Sequence, residues 1–246
     1  MAIRKKPEMI NQQVGWCGGC GHGIVQRLIA ECCEELGLVE KTVQVVDIAC
    51  AYWSIDTLNC DGIAGPHGRC AAVATGIKKV RPEANVYVHA GDGCSYVIGL
   101  AETCYTAMRD IPITMIVVNN GIFGMTGGQM NPATTLLGDK TVSSVKGRDE
   151  KTAGKPFDML KIIETFDIEY AARGALYDTK HINQTKKMLK KGFENQRDGK
   201  GFSIIEILSP CPTNWKMSPV DSMIKLEKEN ELIFPVRVYK DRGGEK

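Results

Sequence analysis

Short runs of apolar, β-branched residues alternate along the chain with longer stretches whose apolar positions recur at helical spacing. The runs predict strands at Val43 to Ile48, Asn85 to His89, Ile113 to Val118, Ile168 to Arg173 and Phe202 to Ile207. The longer stretches predict helices at His22 to Leu36, Arg69 to Lys79, Tyr96 to Met108, Phe157 to Thr165 and Thr179 to Gln196. Gly37 stands where a glycine commonly closes a helix. The run Thr114-Met115-Ile116-Val117-Val118 is nearly all apolar, as a strand buried on both faces requires. Strands alternating with helices predict an α/β fold, a parallel sheet with helices on both faces. The pattern contains no repeats and no low-complexity linker, so residues 1–246 are expected to form a single domain. The charged segment 235–246 is expected to be a peripheral tail.

One segment breaks the rhythm. Gly121 to Pro156 is rich in Gly, Thr, Pro and Met and is longer than an ordinary connection. It follows the most apolar strand directly, which favours a functional loop. Composition narrows the partners: 43% apolar and 24% charged residues are ordinary for a globular protein, and a formal charge of +2 gives no support to nucleic-acid binding. No stretch approaches the roughly 20 apolar residues that span a bilayer, so no membrane association is expected. The start, Met1-Ala2-Ile3-Arg4-Lys5-Lys6-Pro7, lacks the apolar core of a signal peptide, and a cytoplasmic location is expected. Ten cysteines in such a chain point to metal binding or burial before disulfides. Cys32, Cys33 and Cys104, on predicted helices, are expected to be small buried hydrophobes.

Candidate chemistry gathers at strand ends, where open parallel sheets bind ligands. Gly91-Asp92-Gly93 ends one predicted strand and Asn119-Asn120 ends another. Glycines let the backbone approach a phosphate, and a hard cation takes oxygen ligands. Asp92, Asn120 and the carbonyl of Ile122 would supply three oxygens around Mg2+, with a helix N-terminus near Tyr96 facing the anion. Gly-Asp-Gly alone is a common turn, but with Asn-Asn at a second strand end it resembles the thiamine-diphosphate motif of thiamine-dependent enzymes. Upstream, Cys17-x-x-Cys20 fits zinc, a redox dithiol or half an iron–sulfur site. Cys50 and Cys211, each after a predicted strand, are the best candidates to complete it, with Cys60, Cys70 and Cys94 as rivals. His67 and Arg69, at a turn before a helix, are candidates to meet the cofactor or a substrate carboxylate. Met125, Thr126, Gly127, Gly128 and Gln129 are expected to cover the cofactor.

Taken together, Cys17-Gly-Gly-Cys20-Gly-His-Gly23, His67-Gly68-Arg69, Ala74-Thr75-Gly76-Ile77-Lys78, Gly91-Asp92-Gly93, Asn119 to Gln129 and Cys211-Pro-Thr-Asn-Trp215 resemble the β subunit of a 2-oxoacid:ferredoxin oxidoreductase of the 2-oxoglutarate or 2-oxoisovalerate type. The resemblance covers roughly residues 15 to 220. It implies a thiamine-diphosphate-binding fold carrying thiamine diphosphate, Mg2+ and a 4Fe–4S cluster. It places the cluster on Cys17, Cys20, Cys50 and Cys211 and the magnesium clamp on Asp92, Asn120 and Ile122, with Gly91, Gly93, Cys94, Gly124, Met125 and Thr126 also beside the cofactor. The implied activity is oxidative decarboxylation of a 2-oxoacid with coenzyme A to acyl-CoA, CO2 and reduced ferredoxin, in a hetero-oligomer of anaerobic metabolism. The implied partners are an α subunit supplying a pyrimidine-binding domain, ferredoxin and a small ferredoxin-like subunit. The chain departs from the family pattern at Gly18, where proline is usual, at Cys94, where an acidic residue often follows Gly-Asp-Gly, and in the bulky Ala51-Tyr52-Trp53. Two alternatives stand beside this reading: a non-oxidative thiamine-dependent decarboxylase subunit, and a catalytically inactive, zinc-stabilised structural subunit.

Overall fold

The computed structural model describes residues 5–12 and 15–244. In chain order the elements are α1 (His22–Glu35), β1 (Thr42–Val46), β2 (Asp61–Ala64), α2 (Cys70–Val80), β3 (Asn85–Gly91), α3 (Leu100–Met108), β4 (Thr114–Asn119), β5 (Ile122–Phe123), β6 (Gln129–Met130), α4 (Glu150–Ala153), α5 (Met159–Ile163), β7 (Tyr170–Ala175), α6 (Thr179–Arg197), β8 (Ser203–Leu208), α7 (Pro212–Trp215), α8 (Pro219–Lys225), α9 (Glu231–Ile233) and β9 (Arg237–Asp241). Seven strands form one sheet in the order β2-β1-β3-β4-β8-β7-β9. Every neighbouring pair is parallel except β7 with β9.

The period of two along the central strands creates both cores. Met115 and Val117 of β4 face one side, against Ala71 and Ala74 of α2 and Leu160 and Ile163 of α5. Ile116 and Val118 face the other, against Leu28 and Ile29 of α1 and Leu189 and Phe193 of α6. Strands covered on both faces are largely apolar, and β1, β4, β7 and β8 are buried at every position, with Gln44, Arg173 and Glu206 as buried polar exceptions. All five predicted strands and all five predicted helices are present, in three layers.

The departures have local causes. β2 carries no apolar run, because three of its four residues are exposed at the sheet edge. β9 lies within the charged tail segment and pairs antiparallel on the other edge, along β7. The helix expected from Tyr96 begins earlier, since Asp92 accepts the Gly93 N–H and a widened helical turn runs over Gly93–Ile98 before α3. The helix expected over 157–165 is the shorter α5. The long segment is anchored rather than loose. Arg148, 3% exposed, donates to the carbonyls of Thr135 (2.6 Å), Pro132 (2.8 Å), Gly154 (2.9 Å) and Ala153 (3.1 Å). Among the described residues no helix is long and apolar enough to cross a membrane.

Candidate active site

The parallel order brings the carboxyl ends of β1, β3, β4 and β8 to one side of the sheet, and a cleft opens there. Asp92 leaves β3 and is 1% exposed. Its Oδ1 accepts from Gly93 N (2.9 Å), and its Oδ2 accepts from Gly121 N (3.0 Å) and Thr134 Oγ1 (2.5 Å). The carboxylate therefore ties the end of β3 to the turn after β4. Burial pushes its pKa up to about 7, the signature of a carboxylate held out of water with no cation beside it. Asn120 Oδ1 accepts from Ile122 N (3.2 Å), and its carbonyl accepts from Trp215 Nε1 (3.1 Å). A Cβ on Gly93 would sit 2.3 Å from the Phe123 ring, so only glycine fits between Asp92 and that ring. Asp92, Asn120 and Ile122 all line the same cleft, as the oxygen clamp requires.

The cysteines approach from the other side. Cys17 and Cys20 lie on the loop before α1, Cys50 begins a single helical turn after β1, and Cys211 follows β8. A Cβ built on Gly124 would lie 3.4 Å from Cys50 Sγ and 3.7 Å from Cys211 Sγ, so the backbone after β5 runs close beside both thiols. One on Gly21 would lie 2.2 Å from Ser209 Oγ, which seats the Cys17–Cys20 loop against the segment leading to Cys211. Burial pushes the Cys20 thiol up to about 11 and Cys50 to about 12, with neighbouring Cys211 and Cys17 opposing ionisation in both. A cation among these thiols would favour their ionised form instead. Asn214 Nδ2 donates to Cys211 Sγ (3.4 Å), and Trp16 Nε1 donates to the Cys50 carbonyl (2.9 Å).

The clamp and the thiols share one wall. Residues 120 to 126 run from Asn120 through Ile122 to Gly124, Met125 and Thr126, and the last three also line the cleft. Cys50, Gly91, Gly93, Cys94 and His67 complete the lining from the sequence-based set. Arg69 lies outside that lining. It donates to the carbonyls of Gly68 (3.3 Å) and Ile98 (3.2 Å) and pairs with Glu102 (3.0 Å), because α3 offers it a carboxylate away from the cleft. Gln129 is likewise turned back, its Nε2 donating to the Thr126 carbonyl (2.9 Å). Of the rival cysteines, Cys70 and Cys94 face each other at 3.9 Å, and Cys60 packs against the α1 core.

Sequence reasoning missed Asp47, His22 and Phe123, which also line the cleft. Asp47 Oδ2 accepts from Gly91 N (2.8 Å) and Oδ1 from Ala49 N (3.1 Å), and burial pushes its pKa up to about 6. The signal was available: a charged residue ending an apolar strand run. His22 Nδ1 lies 3.1 Å from His89 Nε2, and burial pulls the His22 pKa down to about 4. No sequence pattern marks that contact, because His89 sits within a strand.

Residues 44–207 match the family described as thiamine pyrophosphate enzyme, C-terminal TPP binding domain. The chain is 40% identical over 231 residues to ketoisovalerate oxidoreductase subunit VorA of Methanothermobacter thermautotrophicus, covering 94% of this chain and 48% of that protein. It is 38% identical over 223 residues to 2-oxoglutarate synthase subunit KorB of Methanocaldococcus jannaschii, covering 88% and 78%. The chain thus spans about half the length of VorA. In fold it is similar to a 2-oxoglutarate:ferredoxin oxidoreductase from Magnetococcus marinus, solved with 2-oxoglutarate, coenzyme A and succinyl-CoA bound, with TM-score 0.79, 22% identity and coverage of 98% and 87%. The chain belongs to the thiamine pyrophosphate enzymes and, among them, to the β-subunit family of the 2-oxoacid:ferredoxin oxidoreductases.

Proposed function

We propose that this chain is the subunit of a 2-oxoacid:ferredoxin oxidoreductase that holds both thiamine diphosphate and a 4Fe–4S cluster. The complex would convert a 2-oxoacid and coenzyme A to acyl-CoA and CO2 and pass two electrons to ferredoxin. The observation that carries this reading is the shared wall: one seven-residue stretch carries Asn120 and Ile122, the clamp candidates, and Gly124, which lies close beside Cys50 and Cys211.

The donor sets fit the two groups. Asp92, Asn120 and the Ile122 carbonyl are hard oxygen donors suited to Mg2+. Cys17, Cys20, Cys50 and Cys211 are the four thiolates that a 4Fe–4S cluster needs. Among the described residues the only Cys, His, Asp and Glu donors that converge within 4.8 Å are Asp47, His67 and Cys94. The four cysteines are therefore set wider than a single tetrahedral zinc with bonds of about 2.3 Å would draw them. When bound, thiamine diphosphate supplies an electron sink for decarboxylation and the cluster accepts electrons singly. The chain's own residues orient and shield: Phe123 closes over Gly93, Met125 and Thr126 border the opening, and Asp92 holds the cation. The pyrimidine-binding domain and its acidic group are assigned to an α subunit, with ferredoxin and a small ferredoxin-like subunit as further partners.

The substrate proposed is an apolar, branched 2-oxoacid of the 2-oxoisovalerate type. No lysine or arginine is among the described residues lining the cleft, while Ile48 and Met125 are apolar and partly open to solvent. A second carboxylate, as in 2-oxoglutarate, would call for a cation there.

The deciding experiment is co-purification with the neighbouring subunits without oxygen, followed by iron, sulfide and zinc analysis and a visible spectrum. About four irons and four sulfides per chain, with absorbance bleached by dithionite, are expected. Stoichiometric zinc, or no metal in folded protein, overturns the electron-transfer role. Asp92→Ala is expected to abolish thiamine diphosphate binding in the presence of Mg2+; retained affinity overturns the clamp. The complex should use 2-oxoisovalerate with a higher kcat/KM than 2-oxoglutarate, and the reverse order overturns the substrate assignment.

A further inference from the structure

One short helical turn, α7, touches the oxygen clamp and the cysteines together. It begins after Cys211 with Pro212, whose fixed φ suits a helix start, and it ends at Lys216 in a left-handed conformation (φ 55°). Trp215 reaches the clamp side, its Nε1 donating to the Asn120 carbonyl (3.1 Å). Asn214 reaches the cysteine side, its Nδ2 donating to the Gly124 carbonyl (3.1 Å) and to Cys211 Sγ (3.4 Å). An amide nitrogen carries two hydrogens, and these two acceptors use both. Gly128 makes room for this side chain: a Cβ there would lie 2.9 Å from Asn214 Oδ1 and 3.3 Å from Asn214 Cβ. A Cβ on Gly124 would lie 3.5 Å from Asn214 Nδ2. The amide thus sits against two glycines of the segment that borders the cleft. Burial raises the Cys211 thiol, while hydrogen bonds from the side chain and the backbone of Asn214 oppose that rise and favour negative charge on the sulfur.

We propose that Asn214 is a positioning residue that raises the reduction potential of the iron–sulfur cluster through Cys211 and fixes that cysteine against the cofactor wall at Gly124. The inference rests on the cluster assignment made above. Reduction by one electron places more negative charge on the ligating sulfurs, so an N–H donor stabilises the reduced form more than the oxidised one. No bond forms or breaks at Asn214, and its protons are shared rather than transferred. Cys20 is favoured as thiolate by the backbone at His22, which no side-chain substitution removes. Among the described residues, no side chain other than Asn214 donates to Cys17, Cys20, Cys50 or Cys211. The same amide ties the potential to the cleft, because its second hydrogen holds the Gly124 carbonyl and leaves the first no freedom to turn from the sulfur.

The test uses the complex co-purified without oxygen. Iron and sulfide are counted first, and the cluster potential is then read by redox titration followed by electron paramagnetic resonance. Asn214→Leu keeps roughly the size of the side chain and loses both donors. Asn214→Asp keeps its shape, loses both donors and adds a negative charge. At equal iron content the potential is expected to fall from wild type to Asn214→Leu and further to Asn214→Asp. The first step is expected to be about tenfold in the one-electron equilibrium, about 59 mV. Thr213→Ala, an exposed position on the same turn, is expected to leave the potential unchanged. Equal or higher potentials in both Asn214 variants overturn the role of Asn214 and leave the cluster assignment standing. Should Asn214→Leu lose its cluster, Asn214→Asp decides. Loss of the cluster from both variants makes Asn214 a residue that only holds the fold, and likewise overturns the proposal. A folded wild-type complex without iron overturns the cluster assignment itself, and this inference with it.

Discussion

Asn119 and Asn120 are neighbours at the end of β4, yet they serve two buried polar regions of opposite character. Asn119 Nδ2 donates to Glu206 Oε1 (2.8 Å), inside a cluster that supplies its own counter-charge. There Arg173, fully buried, pairs with Glu206 (2.8 Å) and Asp158 (2.5 Å), while Tyr96 donates to Glu206 (3.0 Å) and Tyr239 to Asp158 (3.0 Å). Burial alone would raise Asp158, but the Arg173 guanidinium holds it below its usual range. Asn120 faces the cleft, where Asp92 and Asp47 are buried with only N–H and O–H donors around them, and both are raised. A buried acid with an arginine beside it is finished as structure. A buried acid without one is held by hydrogen bonds alone and keeps its affinity for a proton or a cation.

The comparison breaks most visibly by removing the internal counter-charge. Arg173→Met leaves Glu206 and Asp158 buried and unpaired, and is expected to cost about 3–5 kcal/mol in denaturant unfolding. Asp92→Asn keeps the acceptor for Gly93 N, leaves the Gly121 N–H facing an amide nitrogen, and removes a charge that burial penalises. Its expected stability change is much smaller and of either sign, while Mg2+-dependent thiamine diphosphate binding falls on the order of 100-fold or more by calorimetry. Comparable destabilisation by both variants would show that Asp92 belongs to the structural class after all.

Acid sharpens the contrast, because the two regions respond with opposite sign. Asp158 is depressed in the folded chain, so its contribution is present above its usual value of 3.8 and is lost as pH falls below it. Asp47 is raised from 3.8 to about 6, so the folded chain binds a proton that the unfolded chain has lost. Asp47 alone is therefore expected to add stability to the cofactor-free chain as pH drops from about 7 toward 4, by roughly 2–3 kcal/mol at most, while buried His22, pulled down to about 4, opposes it over the same range. The Asp47 part is read as the difference in melting temperature between wild type and Asp47→Asn, measured without metal; a difference that does not move in favour of the wild type as pH falls from 7 to 5 would contradict the assignment of Asp47 as an unpaired buried acid.

The same contrast explains what was legible in the sequence. The central strands announced themselves because burial on both faces leaves an unbroken apolar run, as in Met115 to Val118. Asp92, Asn120, Cys50 and Cys211 could be singled out as candidates because chemistry restricts residue type at strand ends, where all four fall. Edge strand β2 was not, since solvent on its outer side removes any need for apolar residues. Arg69 shows a related limit: its turn before α2 was visible, but its ion-pair partner Glu102 is 33 positions on, and only the fold joins them. Thr134 was invisible as well, one of several threonines in a long segment whose course depends on Arg148.

Thr134 gives the smallest and most selective test. Its hydroxyl donates to Asp92 Oδ2, the oxygen that also takes the Gly121 N–H. Thr134→Val keeps the shape and loses that hydrogen bond, so Asp92 retains its charge but not its full orientation. Loss of one hydrogen bond to a charged group is expected to cost about 1–2 kcal/mol of stability at most. Cation affinity should fall further, roughly 10-fold, since groups that orient a metal ligand typically govern affinity by about 10–100-fold. Calorimetric titration of Mg2+ with thiamine diphosphate separates the two effects. Weakened cation binding with a nearly unchanged melting temperature means the long segment exists to aim Asp92, whereas the reverse means that Thr134 only helps to fasten that segment to the sheet.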